Sequence, residues 1–254
     1  MLKFFRALAL FVLIATPAYA DTATDYIKPT WNDFIKILIE FKALDFKADD
    51  ALVDEYAMMT NCDLYASTAG DEFRWRTARA GLLETIQKLG DNQLTKIRYD
   101  TPLQLTKYDF SNKLFPFTAR TSIDNVNSFL MTTNNEFKCG RGQVQYLPHD
   151  FRAVTKNPIT IPGIPMSPED GETILRTMDM MKNTNRTIYT RFSMHVIDVQ
   201  PLLRYTKHDK YGNETPYYLQ GHSPPNPTQL DVVVDSVDFF VDPYMEVKIY
   251  SYKP

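Results

Sequence analysis

The amino-acid sequence predicts an α+β fold in which a helical N-terminal layer packs against an antiparallel β-sheet, curled into a barrel or a sandwich. Apolar residues at helical spacing, set between capping residues, indicate helices in the first 90 positions. Two later segments, residues 187–199 and 230–241, indicate the sheet, because they are rich in β-branched and aromatic residues and are bounded by turn residues. The strand-rich region begins near residue 95, where the helical spacing of apolar residues gives way to short runs typical of strands.

The first 20 residues have the pattern of a secretory signal peptide. Lys3 and Arg6 form a basic start, residues 8–15 are an apolar run, and residues 18–20 (Ala-Tyr-Ala) are a small-residue cleavage site. The alternative is an N-terminal membrane anchor, but the apolar run is too short for a comfortable membrane span. We therefore predict cleavage before Asp21, a periplasmic or secreted protein, and no stable membrane anchor after the signal is removed.

The composition is that of an ordinary soluble globular protein, with 44% hydrophobic and 23% charged residues. Without Lys3 and Arg6 of the leader, the chain holds 26 basic and 31 acidic residues, a net charge of −5. This mildly acidic charge, without any run of basic residues, argues against nucleic-acid binding. The sequence has no glycine-rich phosphate-binding loop, and no later segment is long and apolar enough to cross a bilayer.

The length of the chain is compatible with one domain or two, and it allows a sizeable core. No flexible linker divides the part that follows the signal peptide. We therefore predict a single α+β domain over residues 21–254, with a helical part over 25–90 and a β-rich part over 95–254.

Three helices are predicted in the helical part. Thr30 and Asp33 have the spacing of a capping box, which predicts a helix over residues 31–44. Each of the other two helices begins at an Asp residue and ends at a turn that contains glycine. These are predicted from residue 49 or 50 to the turn at 67–70, and over residues 71–89.

The β-rich part is predicted to hold several strands and one further helix. Ser167, followed by Pro168 and acidic residues, starts this helix. Within residues 230–241 the apolar alternation changes register near Ser236, which indicates a β-bulge. Residues 157–165 are rich in proline and are predicted to be an extended connection. The other strand candidates are residues 96–100, 103–110, 114–117, 127–133, 143–147, 217–219 and 245–252.

Two groups of residues carry a resemblance to a known family. Tyr108-Asp109-Phe110 followed by Phe115-Pro116-Phe117, and then Met166-Ser167-Pro168-Glu169 directly before a helix, resemble a family of exported bacterial proteins of unknown function. The resemblance covers most of the mature chain. It implies export and a single α+β unit, and it brings no activity and no site residues.

Acid–base or metal chemistry would draw on four histidines, at positions 149, 195, 208 and 222. None is spaced from another as metal ligands usually are, so no metal and no cofactor are predicted. His208, Asp209 and His222 share the long loop 206–228, which is predicted to form the rim of a ligand-binding site. His195 lies in the middle of a strand and is expected to be half-exposed, on the face opposite the buried side.

No catalytic nucleophile is indicated, since there is no G-x-S-x-G turn and neither cysteine stands in a catalytic signature. Asp235 with Asp238 or Asp242 has the chemistry of a glycosidase carboxylate pair. Alternating acidic residues are also what the solvent-facing side of a sheet requires, and we favour that interpretation.

Two functions stay open. The first is a non-enzymatic binding or interaction module of the cell envelope, whose partner is an envelope protein or a small ligand. The alternative is a cell-envelope hydrolase that uses loop His and Asp residues. A deep pocket that joins a histidine to a carboxylate would favour the enzyme, whereas a flat, partly apolar surface would favour the binding module.

The two cysteines predict a disulfide bond. An exported protein meets an oxidising compartment, and two cysteines allow one pairing, Cys62 with Cys139. Such a bond would tie the helical part to the β-rich part. The alternative is two buried free thiols, because cysteine is also a common small core residue.

Overall fold

The computed structural model describes residues 26–89, 94–132, 147–148, 150–200, 204–208, 214–218 and 228–254. The helices are α1 (Trp31–Glu40), α2 (Asp50–Thr60), α3 (Cys62–Thr68), α4 (Glu72–Leu89) and α5 (Pro168–Met180). The strands are β1 (Lys96–Gln104), β2 (Leu114–Pro116), β3 (Ile123–Thr132), β4 (Asp150–Ile161), β5 (Gly163–Pro165), β6 (Thr187–Val199), β7 (Arg204–His208), β8 (Glu214–Tyr218), β9 (Thr228–Phe240) and β10 (Lys248–Tyr252).

The main sheet has the strand order β1-β6-β9-β4-β3, and β10 also pairs with β9. β9 runs antiparallel to β6 and β10 but parallel to β4. The prediction of a purely antiparallel sheet is therefore wrong, and the sheet is mixed. A parallel pair needs a long crossover, and here the chain between β4 and β9 provides one that includes α5 and β6.

The sheet curls into a half-barrel. β1 and β3 stand at opposite ends of the strand order, yet the ring centroids of Tyr99 on β1 and Phe129 on β3 are 5.4 Å apart. Phe192 on β6 lies between the same strands, 4.8 Å from Phe129. Aromatic side chains from the two edges of the sheet therefore meet in one core.

The pairing of β6 with β9 is interrupted twice, between Ser193 and Met194 and between Val196 and Asp198, and the first interruption shapes the outer side of the sheet. Ser193 lies opposite Ser236 and Met194 lies opposite Val234, so Asp235 has no partner in the ladder. This is the β-bulge that the sequence predicts near Ser236, and it changes which side chains of β9 point towards the core.

Helix α1 packs directly on the sheet. The ring of Phe34 stacks on that of Phe151 in β4 at 4.1 Å, and the Trp31 indole N–H donates to the Pro148 carbonyl at 2.8 Å. The predicted capping box is present, with the Asp33 backbone N–H bound to the Thr30 hydroxyl and the Thr30 backbone N–H bound to the Asp33 carboxylate.

Helix α1 ends at Glu40 instead of continuing to residue 44. The Ala43 N–H donates to the Leu38 carbonyl and the Lys42 N–H donates to the Ile39 carbonyl, which is the hydrogen-bond pattern of a Schellman motif. Lys42 takes the left-handed conformation, with φ at 57°. Sequence reasoning missed this end because glycine, the usual residue at this position, is absent.

Two further helix predictions need correction. The segment predicted as one helix from residue 49 or 50 to 67–70 is broken at Asn61, whose non-helical backbone (φ −138°, ψ 68°) separates α2 from α3 while its side chain caps α3. The helical layer is also not purely N-terminal, because α5, which is the helix that the sequence predicts after Ser167, lies between strands β5 and β6. Among the described residues, none of the helices is both long and apolar enough to cross a lipid bilayer.

The two motifs that carry the family resemblance meet in space. The Tyr108 hydroxyl donates to the Met166 carbonyl at 2.8 Å, and β2 pairs with β5 beside it. A Cβ at Gly163 would lie 2.3 Å from the Phe115 carbonyl oxygen, so only glycine allows this close approach. The motifs therefore build the junction between these short strands and the start of α5.

Several strands differ from their predicted bounds. The strand predicted over 96–100 continues as β1 to Gln104, so most of the strand predicted over 103–110 lies outside it. The predicted connection 157–165 belongs to β4 and β5. Part of the loop predicted over residues 206–228 is a hairpin of β7 and β8. β6 has the predicted bounds.

Candidate functional site

The predicted ligand-binding residues fall mainly outside the described residues. Asp209 and His222 lie there, as does Cys139 of the predicted disulfide. His208 is the last residue of β7 and pairs with Glu214 of β8. Cys62 is the first residue of α3 and is half-buried. The site around His208, Asp209 and His222, and the disulfide, therefore stay predictions.

The structure brings a different histidine against a carboxylate. His195 in β6 lies beside the bulge residue Asp235 of β9, and its Nδ1 is 2.8 Å and 2.9 Å from the two carboxylate oxygens. The ladder pairs His195 with Val233 on β9 and with Lys96 on β1. All these positions belong to the face of the sheet that points away from the core, which we call the outer face.

Tyr26 extends this pair into a chain of three side chains. Its hydroxyl donates to Asp235 Oδ2 at 3.0 Å. The position of Tyr26 is fixed because Ile27 forms a parallel bridge with Ile97 of β1. The Lys96 ammonium group lies 5.6 Å from the centroid of the Tyr26 ring, within the range of a cation–π contact.

This geometry occupies one ring nitrogen of His195. The carboxylate holds Nδ1, and among the described residues no group forms a hydrogen bond with Nε2. A carboxylate that orients an imidazole in this way is found behind general bases and metal ligands alike. Metal binding would require further ligands, and the described part of the chain holds no cluster of three or more His, Cys, Asp or Glu side chains suited to it.

The pair lies on an open surface. The side chains of His195 and Asp235 are 38% and 30% exposed, respectively. Val233 and Ile197 beside them are exposed apolar residues, at 41% and 42%. The outer face therefore offers an imidazole nitrogen, a carboxylate and aliphatic surface side by side.

Further along the outer face, the charged residues neutralise one another. Asp100 on β1 accepts from Arg191 Nε on β6 at 3.1 Å, and the Arg98 guanidinium lies 3.5 Å from the same carboxylate. The Arg191 guanidinium also lies over the ring of Phe240, at 5.3 Å from its centroid. The ion pair between Asp100 and Arg191 joins β1 to β6, so we assign these groups a structural role.

The carboxylates that the sequence offered as partners of Asp235 have other roles. Asp238 and Asp242 are buried rather than solvent-facing, at 8% and 6% exposed. Asp238 lies 3.7 Å from the Lys248 ammonium group. Burial alone would raise the pKa of Asp242, but hydrogen bonds from the backbone N–H groups of Val247, Glu246 and Tyr244 outweigh it and lower this pKa.

Sequence reasoning placed His195 correctly as a half-exposed strand residue but did not find its partner. The contact depends on the bulge, which turns Asp235 towards the neighbouring strand. The predicted change of register near Ser236 was the available signal. It did not specify which strand would lie beside it.

The comparisons with known proteins give a family but no activity. No curated protein matches the chain, and no solved structure matches it either. One family model, described as a domain of unknown function, matches residues 49–177, just over half of the 254 residues. The match begins at the residue that caps α2 and ends within α5, so it includes the junction built by Tyr108 and Met166. The chain belongs to the DUF4852 family, whose function is unknown.

Proposed function

We propose that the protein is an exported, periplasmic or secreted, non-enzymatic binding or interaction module of the cell envelope. The leader pattern of the first 20 residues supports export. The observation that carries the binding role is the position of the His195–Asp235 pair on the outer face of the sheet, where the two side chains are 38% and 30% exposed in the part of the chain that the structure describes. An open face with mixed polar and aliphatic groups is suited to contact with a partner surface.

The partner that this face suits is an envelope protein or a small ligand rather than nucleic acid. Val233 and Ile197 supply the apolar contact, and His195 and Asp235 supply one hydrogen-bonding and one charged group. The net charge of −5 after removal of the leader would oppose binding to a polyanion.

Export is tested by the mass of the protein recovered from the periplasmic fraction. The proposal expects a chain that begins at Asp21. A retained leader in the membrane fraction would overturn the export part of the proposal and leave the binding part to be tested separately.

The binding role is tested by immobilising the mature protein and comparing the envelope components that it retains. The variant Val233→Glu places a charge on the outer face, and Phe73→Glu is the matched control, because Phe73 on α4 is 82% exposed and lies elsewhere. We expect at least one envelope component to be retained by the wild type and by the Phe73→Glu variant. The Val233→Glu variant should not retain it. Equal retention by all three would count against the outer face.

The same extract tests the alternative, a cell-envelope hydrolase that uses His208, Asp209 and His222. Release of soluble fragments from isolated envelopes would support the hydrolase if replacing both His208 and His222 by Ala abolished it. The binding module predicts no such release from the wild type.

We also propose the Cys62–Cys139 disulfide. This bond would close a loop of 78 residues. The chain-entropy model gives about 4 to 5 kcal/mol as the upper limit of its contribution to the free energy of unfolding. Titration of the denatured, unreduced protein is expected to find no free thiol, and reduction is expected to lower the melting temperature. Two free thiols per chain would rule out the bond.

A further inference from the structure

A cleft of about 450 Å³ lies where helices α1 and α4 end. Its floor is apolar and continuous with the core, since Leu44 and Phe46 are 5% exposed and Ile86 is 1% exposed. Ile39, at the end of α1, completes the wall. The volume falls within the range of small-molecule sites, and it is room for one aliphatic chain rather than for a two-chained lipid.

Two lysines stand at the mouth of the cleft. Lys42 and Lys47 both line it and both are exposed, and among the described residues neither ammonium group forms an ion pair. The acidic residue between them, Asp45, has its Oδ1 bound by the backbone N–H groups of Lys47 and Ala48, at 2.9 Å and 3.3 Å. The mouth therefore presents two ammonium groups and one carboxylate, a net charge of +1, above an apolar floor.

Lys42 stands where glycine would be the more stable residue. It occupies the left-handed position of the Schellman motif that ends α1, with φ at 57°. Lys182 takes the same position after α5, with φ at 56° and the same pair of hydrogen bonds. The backbone conformation therefore does not mark a site by itself, but Lys182 supplies a matched control that does not line this cleft.

We infer that this cleft binds a single-chain amphiphile with an anionic head group. The aliphatic chain lies against Leu44, Phe46 and Ile86, and the head group is bound by Lys42 and Lys47. Burial of the chain supplies most of the affinity, and the two ammonium groups select the charge of the head group. This site is separate from the outer face and does not rest on the function proposed above.

The test uses the mature protein and three probes that share one chain length: decanoate, decanol and decyltrimethylammonium. Calorimetric titration is expected to show saturable binding of decanoate below its aggregation concentration. The neutral and cationic probes are expected to bind about tenfold more weakly or not at all, because they lose the contacts with the two lysines.

Substitutions then separate the side chain of Lys42 from its backbone effect. Lys42→Gly is expected to raise the melting temperature and to weaken decanoate binding about tenfold. Lys182→Gly is expected to raise the melting temperature equally and to leave the affinity unchanged. Lys47→Glu alters an exposed residue, so it should fold normally and weaken binding further.

Three outcomes would overturn the inference. One is the absence of saturable decanoate binding to the wild-type protein. The second is equal affinity for decanoate and decanol, which would leave the lysines without a role. The third is a loss of affinity in Lys182→Gly as large as that in Lys42→Gly, which would place the ligand elsewhere.

Discussion

Helices α1 and α4 contact each other, but different interactions hold them in place. α1 buries five of its ten residues against the core, whereas α4 buries two of eighteen, Trp75 and Ile86. α4 adds Leu82, Leu83 and Leu89 as partly buried side chains at the edge of the core. It is joined to α2 by polar contacts, because Asp54 accepts from the Trp75 indole N–H at 3.1 Å and from Arg79 Nε and Nη2 at 2.7 Å each. The comparison teaches that neighbouring helices can depend on apolar burial in one case and on a few polar contacts in the other.

The largest expected loss of stability comes from removing a buried apolar side chain of α1. Phe34 in α1 is fully buried against Phe151, so Phe34→Ala should lower the free energy of unfolding by about 3 to 5 kcal/mol, through lost burial and the cavity left behind. Urea unfolding measures it. Phe34→Leu, which fills more of the space, serves as the control and should lose clearly less. A loss below about 1 kcal/mol for the Ala variant would contradict the account.

The next largest expected loss of stability comes from removing the carboxylate that joins α2 to α4. Asp54→Ala should lower the free energy of unfolding by about 1 to 3 kcal/mol, since it leaves the Trp75 N–H and part of the Arg79 guanidinium without their acceptor. Hydrogen exchange should show that α4 loses more protection than α1. Asp50→Ala, which removes only the exposed contact to Arg79, is the control. Equal loss of protection in both helices would mean that α4 does not depend on Asp54.

A smaller, pH-dependent effect is expected at the start of α1. Burial alone would raise the pKa of Asp33, but hydrogen bonds from Lys36 and Thr30 outweigh it and lower this pKa below its usual value of 3.8. The stabilisation of the folded protein by this carboxylate is therefore fully present at pH values above 3.8. It is lost as the pH falls through the lowered pKa of Asp33.

Asp33→Asn should accordingly lower the free energy of unfolding by about 0.5 to 1 kcal/mol near neutral pH, and the deficit should shrink as the pH falls below 3.8. Urea unfolding of both proteins across this range measures the difference. A deficit that does not change with pH would show that the charge of Asp33 has no part in the cap.

The smallest effect is expected on the exposed side of α4. Phe73 is 82% exposed, so Phe73→Ser should change the free energy of unfolding by less than about 0.5 kcal/mol. A larger loss in urea unfolding would show that Phe73 contributes packing that its exposure does not suggest, and would weaken the comparison.

The sequence predicted those elements whose signals are local. The capping box at Thr30, the helix start at Ser167 and the bounds of β6 depend on neighbouring residues, and the structure has all three. The break at Asn61 was missed because the helical periodicity on both sides of it is compatible with one helix.

Features that depend on distant pairing could not be predicted. The parallel ladder between β4 and β9 joins residues 151–155 with 228–232, and no local pattern states which strand pairs with which. The contact of Asp235 with His195 has the same origin, because a bulge changes the direction of a side chain but does not choose the neighbour that receives it. The residues around His208 and His222 stay a prediction.

The central position of β9 has a consequence for the order in which the chain can fold. β9 joins β6 to β4, so the main sheet cannot connect its two halves until residues 228–240 are available. β1 pairs with β6 across some ninety residues and β4 pairs with β9 across nearly eighty, which makes the contacts of the sheet strongly non-local. Such topologies fold slowly, because long loops must close before their contacts form. Until β9 is in place, β4 and β6 each keep one unpaired edge, and a chaperone that covers those edges would act in this interval.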